Sequence, residues 1–466
     1  MKQQVLGTAS AVGLIEGTDM PADGDVPAPA GPRVTTRVLT TAATPALLRI
    51  RSALGITEGD GPKGSNWQVL SQPRFRWYFT GSVFSNFGNW LQNTAQVVLA
   101  YQLTHSVFWV GMVTCAQFSS PLFLGPWAGV LTHRFGNWRT LIFTQGASMG
   151  IAATLAGLQF THSLTKPWLF AGATAIGLAF TFALPALSVT VATLVPKAEA
   201  KRALAMDSVS YNLGRALAPV LSVLMFTTIG FGWAFALNAV SFGFFTAVLL
   251  WLRPRHAHAE INRSRVMNGL RIAWQDRRIM ILLLMVAAVT VAADPILVLG
   301  PALARSFGAS ADWSGIFITA LGAGNVIGSF RPTRQAPSIR RAATVLGMLS
   351  LFMVIFVTSA WIWLSVAAAF AAGAACLLAG ATTRALLLHH SQGSQAAVMA
   401  AWAVAWAGSK PIASFADGTL AGPIGLRTTG ILLALPALVP ALVLVLCPAF
   451  GKRLVRDLSF GLTSSP

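Results

Sequence analysis

The chain carries no Asp, Glu, Lys or Arg over residues 77–133, WYFTGSVFSNFGNWLQNTAQVVLAYQLTHSVFWVGMVTCAQFSSPLFLGPWAGVLTH. A helix that crosses a bilayer needs about 20 consecutive, mostly apolar residues. The uncharged stretch is long enough for two such helices, with a tight turn near LTHS at residues 103–106. It therefore predicts a pair of membrane-spanning helices.

The whole chain shares the low charge of this stretch. Of its 466 residues, 55% are hydrophobic and only 10% are charged, whereas a soluble globular protein carries about 25% charged residues. A chain so poor in charge cannot cover a soluble surface, so most of it must face lipid or pack within it. The uncharged runs, broken at short polar loops, predict about twelve spans. Their approximate bounds are 77–102, 107–131, 139–160, 167–195, 204–228, 232–252, 279–302, 313–332, 342–358, 361–383, 396–422 and 428–449.

Lysine and arginine gather in alternate loops between these spans. Cytoplasmic loops are enriched in these residues, and the opposite loops hold only Lys166, Arg305 and Arg427. The pattern places both termini in the cytoplasm. The net charge of +19 is then explained by topology, so the basic composition does not indicate a nucleic-acid partner.

A basic stretch divides the spans into two groups of six: RPRHAHAEINRSRVMNGLRIAWQDRR, residues 253–278. It is predicted to be a cytoplasmic linker between an N-terminal half, 73–252, and a C-terminal half, 279–450. Residues 1–72 are rich in Pro, Ala, Gly and Thr and predict a disordered cytoplasmic tail, and 451–466 form a second cytoplasmic tail. The fold class is thus an all-α integral membrane protein with two six-helix halves. Such halves can enclose a site at the bilayer midplane and rock about it.

The first span carries a stripe of polar side chains. Ser82, Asn86, Asn89, Asn93 and Gln96 recur every three or four residues and so share one helical face. Amides that face lipid would leave donors and acceptors unpaired. The stripe is therefore expected to line a cavity, although hydrogen bonding that only holds helices together is the alternative. The candidate substrate contacts are Asn86, Asn89, Trp90, Asn93, Gln96, Tyr211 and Asn325.

Five charged residues fall inside the predicted spans: Asp207, Arg215, Asp294, Lys410 and Asp417. A charge within the bilayer is costly and is a functional-site hypothesis by default. Asp207 and Arg215 share a face of the fifth span and are too far apart for a direct pair, so the tyrosine between them is a candidate bridge. Two purely structural explanations stay open. In one, Asp207 is simply solvated at the cytoplasmic end of its span; in the other, the charges balance one another as buried pairs.

The sequence gives no support for a soluble enzyme or a metal site. It contains no GxxxxGK[ST] or HExxH motif, and its GxSxG match, GASMG at residues 146–150, lies inside the predicted span 139–160 and not at a turn between a strand and a helix. The chain is therefore predicted not to be an enzyme and to need no cofactor. The cysteines, Cys115, Cys376 and Cys447, lie in apolar runs and form no CxxC pair. Two histidine pairs, 256/258 and 389/390, are read as solvated loop residues, and no metal site is predicted.

The turn after the second span, GVLTHRFGNWR at residues 129–139, resembles the major facilitator motif Gly-x-x-x-Asp-Arg-x-Gly-Arg-Arg. Gly129, Arg134, Gly136 and Arg139 match in step, while His133 stands where the family has an acid. In the family this loop acts as a cytoplasmic gate latch. The resemblance implies a latch that lacks its fixed negative charge, and hence a looser inward gate.

The fifth span, GRALAPVLS, resembles the family's antiporter motif Gly-x-x-x-Gly-Pro-x-x-Gly. Gly214 and Pro219 match, and Ala218 and Ser222 are small substitutes. Several segments in order, among them FRWYFTGSVFSNFGNWLQ and LVPKAEAKRALAMDSVSYNLGRALAP, are similar to the enterobactin-exporter and macrolide-efflux branch. That branch often has an acid where Asn89 stands, so proton coupling at this position and at His133 is in doubt.

The resemblance implies a secondary transporter of the bacterial inner membrane. It would export a small, partly hydrophobic molecule, such as a drug, siderophore or metabolite, by alternating access, with protons as a candidate coupling ion and the protein acting as a monomer. Asp207, Asp294 and Asp417 are the remaining candidates for the titrating carboxylate. Two alternatives stay open, namely an importer or uniporter of the same fold, and a non-transporting receptor or assembly protein.

Overall fold

The computed structural model describes residues 66–252, 269, 271–329, 338–391 and 394–446. The predictions made for the N-terminal tail up to residue 65, for most of the linker and for the C-terminal tail lie outside these residues. So do Cys447, His256 and His258. The described part of the chain is built from helices joined by short turns.

Within the described residues, a short 3-10 helix, Asn66–Ser71, precedes the α-helices whose bounds can be given. They are α1 (Pro73–Thr104), α2 (Val107–Phe135), α3 (Asn137–Phe160), α4 (Lys166–Thr193), α5 (Ala200–Thr228), α6 (Phe231–Leu252), α7 (Arg277–Ala293), α8 (Pro295–Val298), α9 (Gly300–Ser306), α10 (Trp313–Ser329), α11 (Ile339–Thr358), α12 (Ile362–His390), α13 (Gln395–Leu420) and α14 (Leu426–Leu446).

Among the described residues, 9 helices are long and apolar enough to cross a membrane. The apolar part of α10, Trp313–Gly328, is shorter. The helices α1 and α13 fall outside this group; they carry the amide stripe and the Lys410 and Asp417 charges. The prediction of an all-α membrane protein is confirmed, and the count of about twelve spans stays a prediction.

Three boundaries differ from those expected from the sequence. Residues 66–72 belong to the folded part and not to the tail, because Val69 is fully buried in a cluster with Phe75 and Leu249. The seventh span is interrupted after residues 293 and 298, where Pro295 and Pro301 each lack a backbone N–H. The tenth span runs on to residue 390, because ATTRALLLHH holds no Gly or Pro that would end a helix.

Small residues bring the helices of the first half close together. The helix α5 packs against α1 along the antiporter-like motif, where a Cβ added to Gly214 would lie 2.9 Å from the backbone of Asn86. Ala218 is fully buried one turn later, and the Ser222 hydroxyl donates to the Leu91 carbonyl at 2.9 Å. The motif thus provides a smooth face for close helix packing.

The second half is held together in the same way. The helix α12 packs against α10 and α11, and α11 packs against α14. Gly324 of α10 lies against the Phe370 carbonyl, and Gly373 of α12 lies against the Leu321 carbonyl. Two glycines therefore let the backbones of α10 and α12 approach each other from both sides.

Two helix crossings join α1–α6 to the later helices: α2 with α13, and α5 with α10. A Cβ added to Gly111 would lie 2.5 Å from the Ser414 carbonyl and 2.7 Å from the Cα of Gly418. At the second crossing Gly315 packs on Val223. The Gln102 amide also donates to Asp312 at 2.9 Å across the same end. The two sets of helices therefore meet tightly at the end that carries the α1–α2 and α9–α10 loops.

Candidate functional site

Trp90 lies where the two sets of helices meet inside the apolar part of the molecule. Its side chain is 8% exposed, and the ring of Tyr211 packs edge-on against it with centroids 5.7 Å apart. The guanidinium of Arg215 lies 5.8 Å from its ring centre and the Lys410 ammonium 5.9 Å away. The ammonium also lies 3.9 Å from the ring centre of Phe118. Side chains of α1, α2, α5 and α13 thus form one aromatic and cationic cluster.

The two cations of this cluster are held by aromatic faces rather than by acids. Within the described part of the chain, neither Arg215 nor Lys410 makes a hydrogen bond or an ion pair within 4.0 Å. A cation–π contact contributes about 0.5–2 kcal/mol, whereas a charge at the centre of a membrane helix costs about 2.5–3.5 kcal/mol. Packing alone does not repay these charges, which makes the cluster the best candidate for the functional site.

Two carboxylates lie near the later part of α13, one of them on α13 itself and the other at the break between α7 and α8. Asp294 sits at the break between α7 and α8 and accepts a hydrogen bond from the Ser414 hydroxyl at 2.5 Å. Asp417 is fully buried, and neither of its carboxylate oxygens has a hydrogen-bond partner among the described residues. Lys410 lies one helical turn before Ser414, and its charge acts on Asp294. One face of α13 therefore carries a cation and an acid to the same region.

Asp207 belongs to a different network, between α5 and α1. One of its oxygens accepts hydrogen bonds from Ser82 at 3.0 Å and from Tyr78 at 3.5 Å. Asp207 is thus half-buried and hydrogen-bonded to α1, which disfavours its interpretation as a simply solvated group. The bridge to Arg215 through Tyr211 is not formed, because that tyrosine packs on Trp90.

The amide stripe of α1 divides into two kinds of side chain. The Asn86 amide donates to Ser210 of α5 at 2.9 Å, and those of Asn93 and Gln96 donate to Gln117 of α2 at 3.1 and 3.2 Å. These three join helices, which is the alternative that the sequence left open. Asn89 is half-buried and makes no hydrogen bond within the described residues, so it and Trp90 are the stripe's candidates for contact with a substrate.

Asn325 lies in the crossing of α10 with α12 and not beside Trp90. Its backbone N would be 3.1 Å from a Cβ added to Gly373. Its amide nitrogen is buried and finds no partner among the described residues. Its placement favours a packing role over contact with a substrate.

Three residues that the sequence pattern alone does not single out extend the site along α13 and α12. The rings of Trp402 and Trp406 are stacked, with centroids 6.2 Å apart and planes at 10°. The guanidinium of Arg384 lies 5.0 Å from the ring centre of Trp402. The signal was present, because residues 402, 406, 410 and 414 recur every four positions on one helical face. The arginine was missed because it was assigned to a cytoplasmic loop.

The turn that resembles the gate latch joins α2 to α3. Gly136 has φ 87° and ψ 132°, a conformation that favours glycine, and so allows one residue to separate the two helices. Gly129 is buried, and Arg134 and Arg139 are exposed. The side chain of His133 lies outside what the structure describes.

We predict that His133→Asp shifts the protein towards the outward-facing state. The carboxylate restores a fixed negative charge beside Arg134 and Arg139, and exposed pairs of this kind contribute about 0.2–1 kcal/mol each. Distances between spin labels on the cytoplasmic ends of the two halves measure the populations. His162→Asp, on the α3–α4 loop, is the matched control. Equal populations in His133→Asp and the parent would show that His133 is not part of a latch.

The helix order, the close crossings at glycine and the charges around Trp90 define a multi-pass membrane transporter of the major facilitator fold. A family model for transmembrane secretion effectors matches residues 64–452, so the chain belongs to that family. A comparison with curated protein sequences found no significant match.

Solved transporters share the fold at low sequence identity. A bacterial homologue of the human lysosomal transporter Spinster, solved inward-facing and unoccupied, is 13% identical with a TM-score of 0.61, over 84% of this chain and 98% of that one. The POT family transporter PepTSo is 13% identical with a TM-score of 0.63, over 82% of this chain and 99% of that one. The nucleoside transporter NupG, as a mutant, is 13% identical with a TM-score of 0.62, over 80% and 98%.

Proposed function

We propose that this protein is a secondary active transporter that exports a small, partly hydrophobic molecule by alternating access. The observation that carries the proposal is the cluster around Trp90, where Arg215 of the first half and Lys410 of the second reach the same indole. Motion of one half against the other would separate these two cations. A molecule bound between them would therefore meet a closed site in one state of the transporter and an open site in the other.

The conformation supports binding from the cytoplasm. The close contacts between the halves, at Gly111 with Gly418 and at Gln102 with Asp312, lie at the end that the charge pattern of the loops places outside the cell. With both termini in the cytoplasm of a bacterial inner membrane, this arrangement is an inward-facing state. The likeness of α5 to the antiporter motif supports export over uptake.

Protons are the proposed coupling ion, and Asp417 is the proposed carrier. A buried carboxylate without hydrogen bond or counter-ion is costly when ionised, and Asp417 has neither partner among the described residues. Asp294 is joined to the same stretch of α13 by its hydrogen bond from Ser414, three residues before Asp417. Access of water to this region in one state only would let the pair take up a proton on one side and release it on the other.

Proteoliposomes with an imposed pH gradient test this proposal. Purified protein is reconstituted as a monomer in a lipid bilayer, and a panel of drugs, siderophores and metabolites is followed with and without the gradient. We expect at least one compound to move against its own gradient when the proton gradient is present. Flux that ignores the pH gradient would contradict proton antiport, and accumulation inside expressing cells would instead favour an importer.

A further inference from the structure

One face of the helix α12, around Gly380, is open. Two arginines from different helices, Arg215 of α5 and Arg384 of α12, lie on either side of it. Cys376, Gly380 and Arg384 recur at one-turn spacing on α12. A Cβ added to Gly380 would meet nothing within 4 Å. By contrast, Gly373 on the same helix lies in backbone contact with α10. Among the described helices, none fills the Gly380 face of α12.

Both ends of this open face are marked by a guanidinium. Arg215 of α5 lies 5.8 Å from the ring centre of Trp90, which Lys410 of α13 also approaches, at 5.9 Å. Arg384 lies on α12 itself and covers the ring of Trp402 on α13. Two turns of α13 separate Trp402, beside Arg384, from Lys410, which shares the Trp90 ring with Arg215; this is roughly 12 Å along the axis. A cleft bounded by α5, α12 and α13 therefore has a cation at each end.

These guanidiniums have donors to offer. Among the described residues neither Arg215 nor Arg384 makes a hydrogen bond or a close ion pair, and each guanidinium carries five N–H donors. Of the acids within the spans, Asp207 accepts from Ser82 and Asp294 accepts from Ser414, and Asp417 makes no hydrogen bond to either arginine among the described residues. Lys410 lies against the rings of Trp90 and Phe118, and the planar forks of the two arginines are the better anchors for an anionic group.

One wall of the cleft is aromatic. Trp402 and Trp406 present parallel rings along α13, and Trp406 is 37% exposed. Lys410 and Trp90 continue the same line towards the centre of the molecule. Planar rings stack on exposed indole faces, and anions pair with guanidinium forks.

We propose that this cleft binds an aromatic anion, a planar ring that carries a carboxylate, sulfonate or phosphate group. The ring packs against Trp406 and over Gly380, and the anionic group takes the free N–H donors of Arg384 or Arg215. The inference rests on the proposed function in one respect, since it takes the cleft to be part of the transport path. It adds the chemical class of the substrate.

The test is binding of two probes that differ in charge alone. The full-length protein in phosphatidylcholine nanodiscs is titrated with 2-naphthoate and with neutral 2-naphthalenemethanol, and tryptophan fluorescence is followed. We expect naphthoate to bind about tenfold more tightly or better, the gain of one charge-assisted contact. Equal affinity for the two probes would overturn the proposal.

Substitutions locate the binding. Either Arg384→Gln or Arg215→Gln, whichever arginine holds the carboxylate, should weaken naphthoate binding about tenfold and leave the neutral probe unchanged, and the matching Lys variant should restore part of the loss; unchanged naphthoate binding in both Gln variants would overturn the proposal. Gly380→Leu fills the open face and should abolish binding of both probes. The controls are Lys166→Gln, which removes an exposed cation 5.2 Å from the ring centre of Trp109, and Gly150→Leu, at another open helical glycine. Unchanged binding in folded Gly380→Leu protein would place the site elsewhere.

Two further readings separate the possible failures. Loss of naphthoate binding when phosphatidylglycerol is added to the nanodiscs would mean that the cleft takes a lipid phosphate, which overturns the proposal for a free aromatic anion. Gradient-driven flux of neutral compounds without naphthoate binding would overturn the substrate class and leave the transporter standing. Naphthoate binding without any flux would uphold the cleft and contradict the proposed function.

Discussion

Asp417→Asn is expected to abolish proton-driven efflux while the protein stays folded. The side chain is fully buried, and neither carboxylate oxygen has a partner among the described residues. Asparagine has nearly the same shape, is neutral and cannot carry a proton in exchange. Transport against a concentration gradient should fall to the level seen without a pH gradient, whereas exchange of labelled for unlabelled substrate should continue, because exchange needs no net proton movement.

Stability provides a second reading of the same variant. A buried acid without a partner costs free energy, and replacing it with a neutral group is often stabilising. Asp417→Asn should therefore raise the melting temperature of the purified protein or leave it unchanged. Loss of function together with a gain in stability is typical of a functional site.

The control is Asp276→Asn. That carboxylate caps α7 and accepts from the Arg278 backbone N–H at 2.8 Å, outside the apolar spans. Asparagine caps a helix about as well as aspartate, so this variant should keep both the fold and the coupling intact. Gradient-driven transport that persists in Asp417→Asn would assign the proton to another group, with Asp294 next to be tested.

The sequence predicts the helices well because membrane spans are specified locally. Length and lack of charge identify a span without knowledge of its neighbours, so the class of fold follows from composition and run length. The errors arise where local signals are weak. Arg384 was assigned to a loop because arginine counts against a span, although the helix continues to residue 390 and the side chain rests on Trp402.

The site was only partly predictable for a related reason. Periodicity places Asn86, Asn89 and Asn93 on one face of α1, but it cannot say which neighbour that face meets. The partner of Asn86 is Ser210, more than a hundred residues away in the chain. A close approach that depends on Gly214 determines this pairing. Contacts between helices, and hence the division between cavity and packing, need the tertiary structure.

Gly111→Val is expected to open the closed end of the molecule. A Cβ at this position would lie 2.5 Å from the Ser414 carbonyl and 2.7 Å from the Cα of Gly418, and both belong to α13 in the other half. Overpacking of this kind costs about 1–3 kcal/mol, and each 1.4 kcal/mol changes a population ratio about tenfold. The state that separates α2 from α13 should therefore gain about five- to 150-fold over the present one.

Spin labels at Leu103 and Ser310 report the change, since both residues are exposed at the closed end near Gln102 and Asp312. The native cysteines are first replaced by serine. We expect a longer distance between the labels in Gly111→Val and no change in Gly157→Val, where an added Cβ meets nothing within 4 Å.

A contrast with α4 shows why the effect is a change of state and not unfolding. Gly177 packs against the Gln117 backbone inside the first half, where the two helices cannot separate without loss of the fold. Gly177→Val should therefore lower the melting temperature and the yield, whereas the clash at Gly111 is relieved by a motion between the halves. If Gly111→Val instead unfolds like Gly177→Val, the α2–α13 crossing is a fixed part of the core and the halves do not separate there.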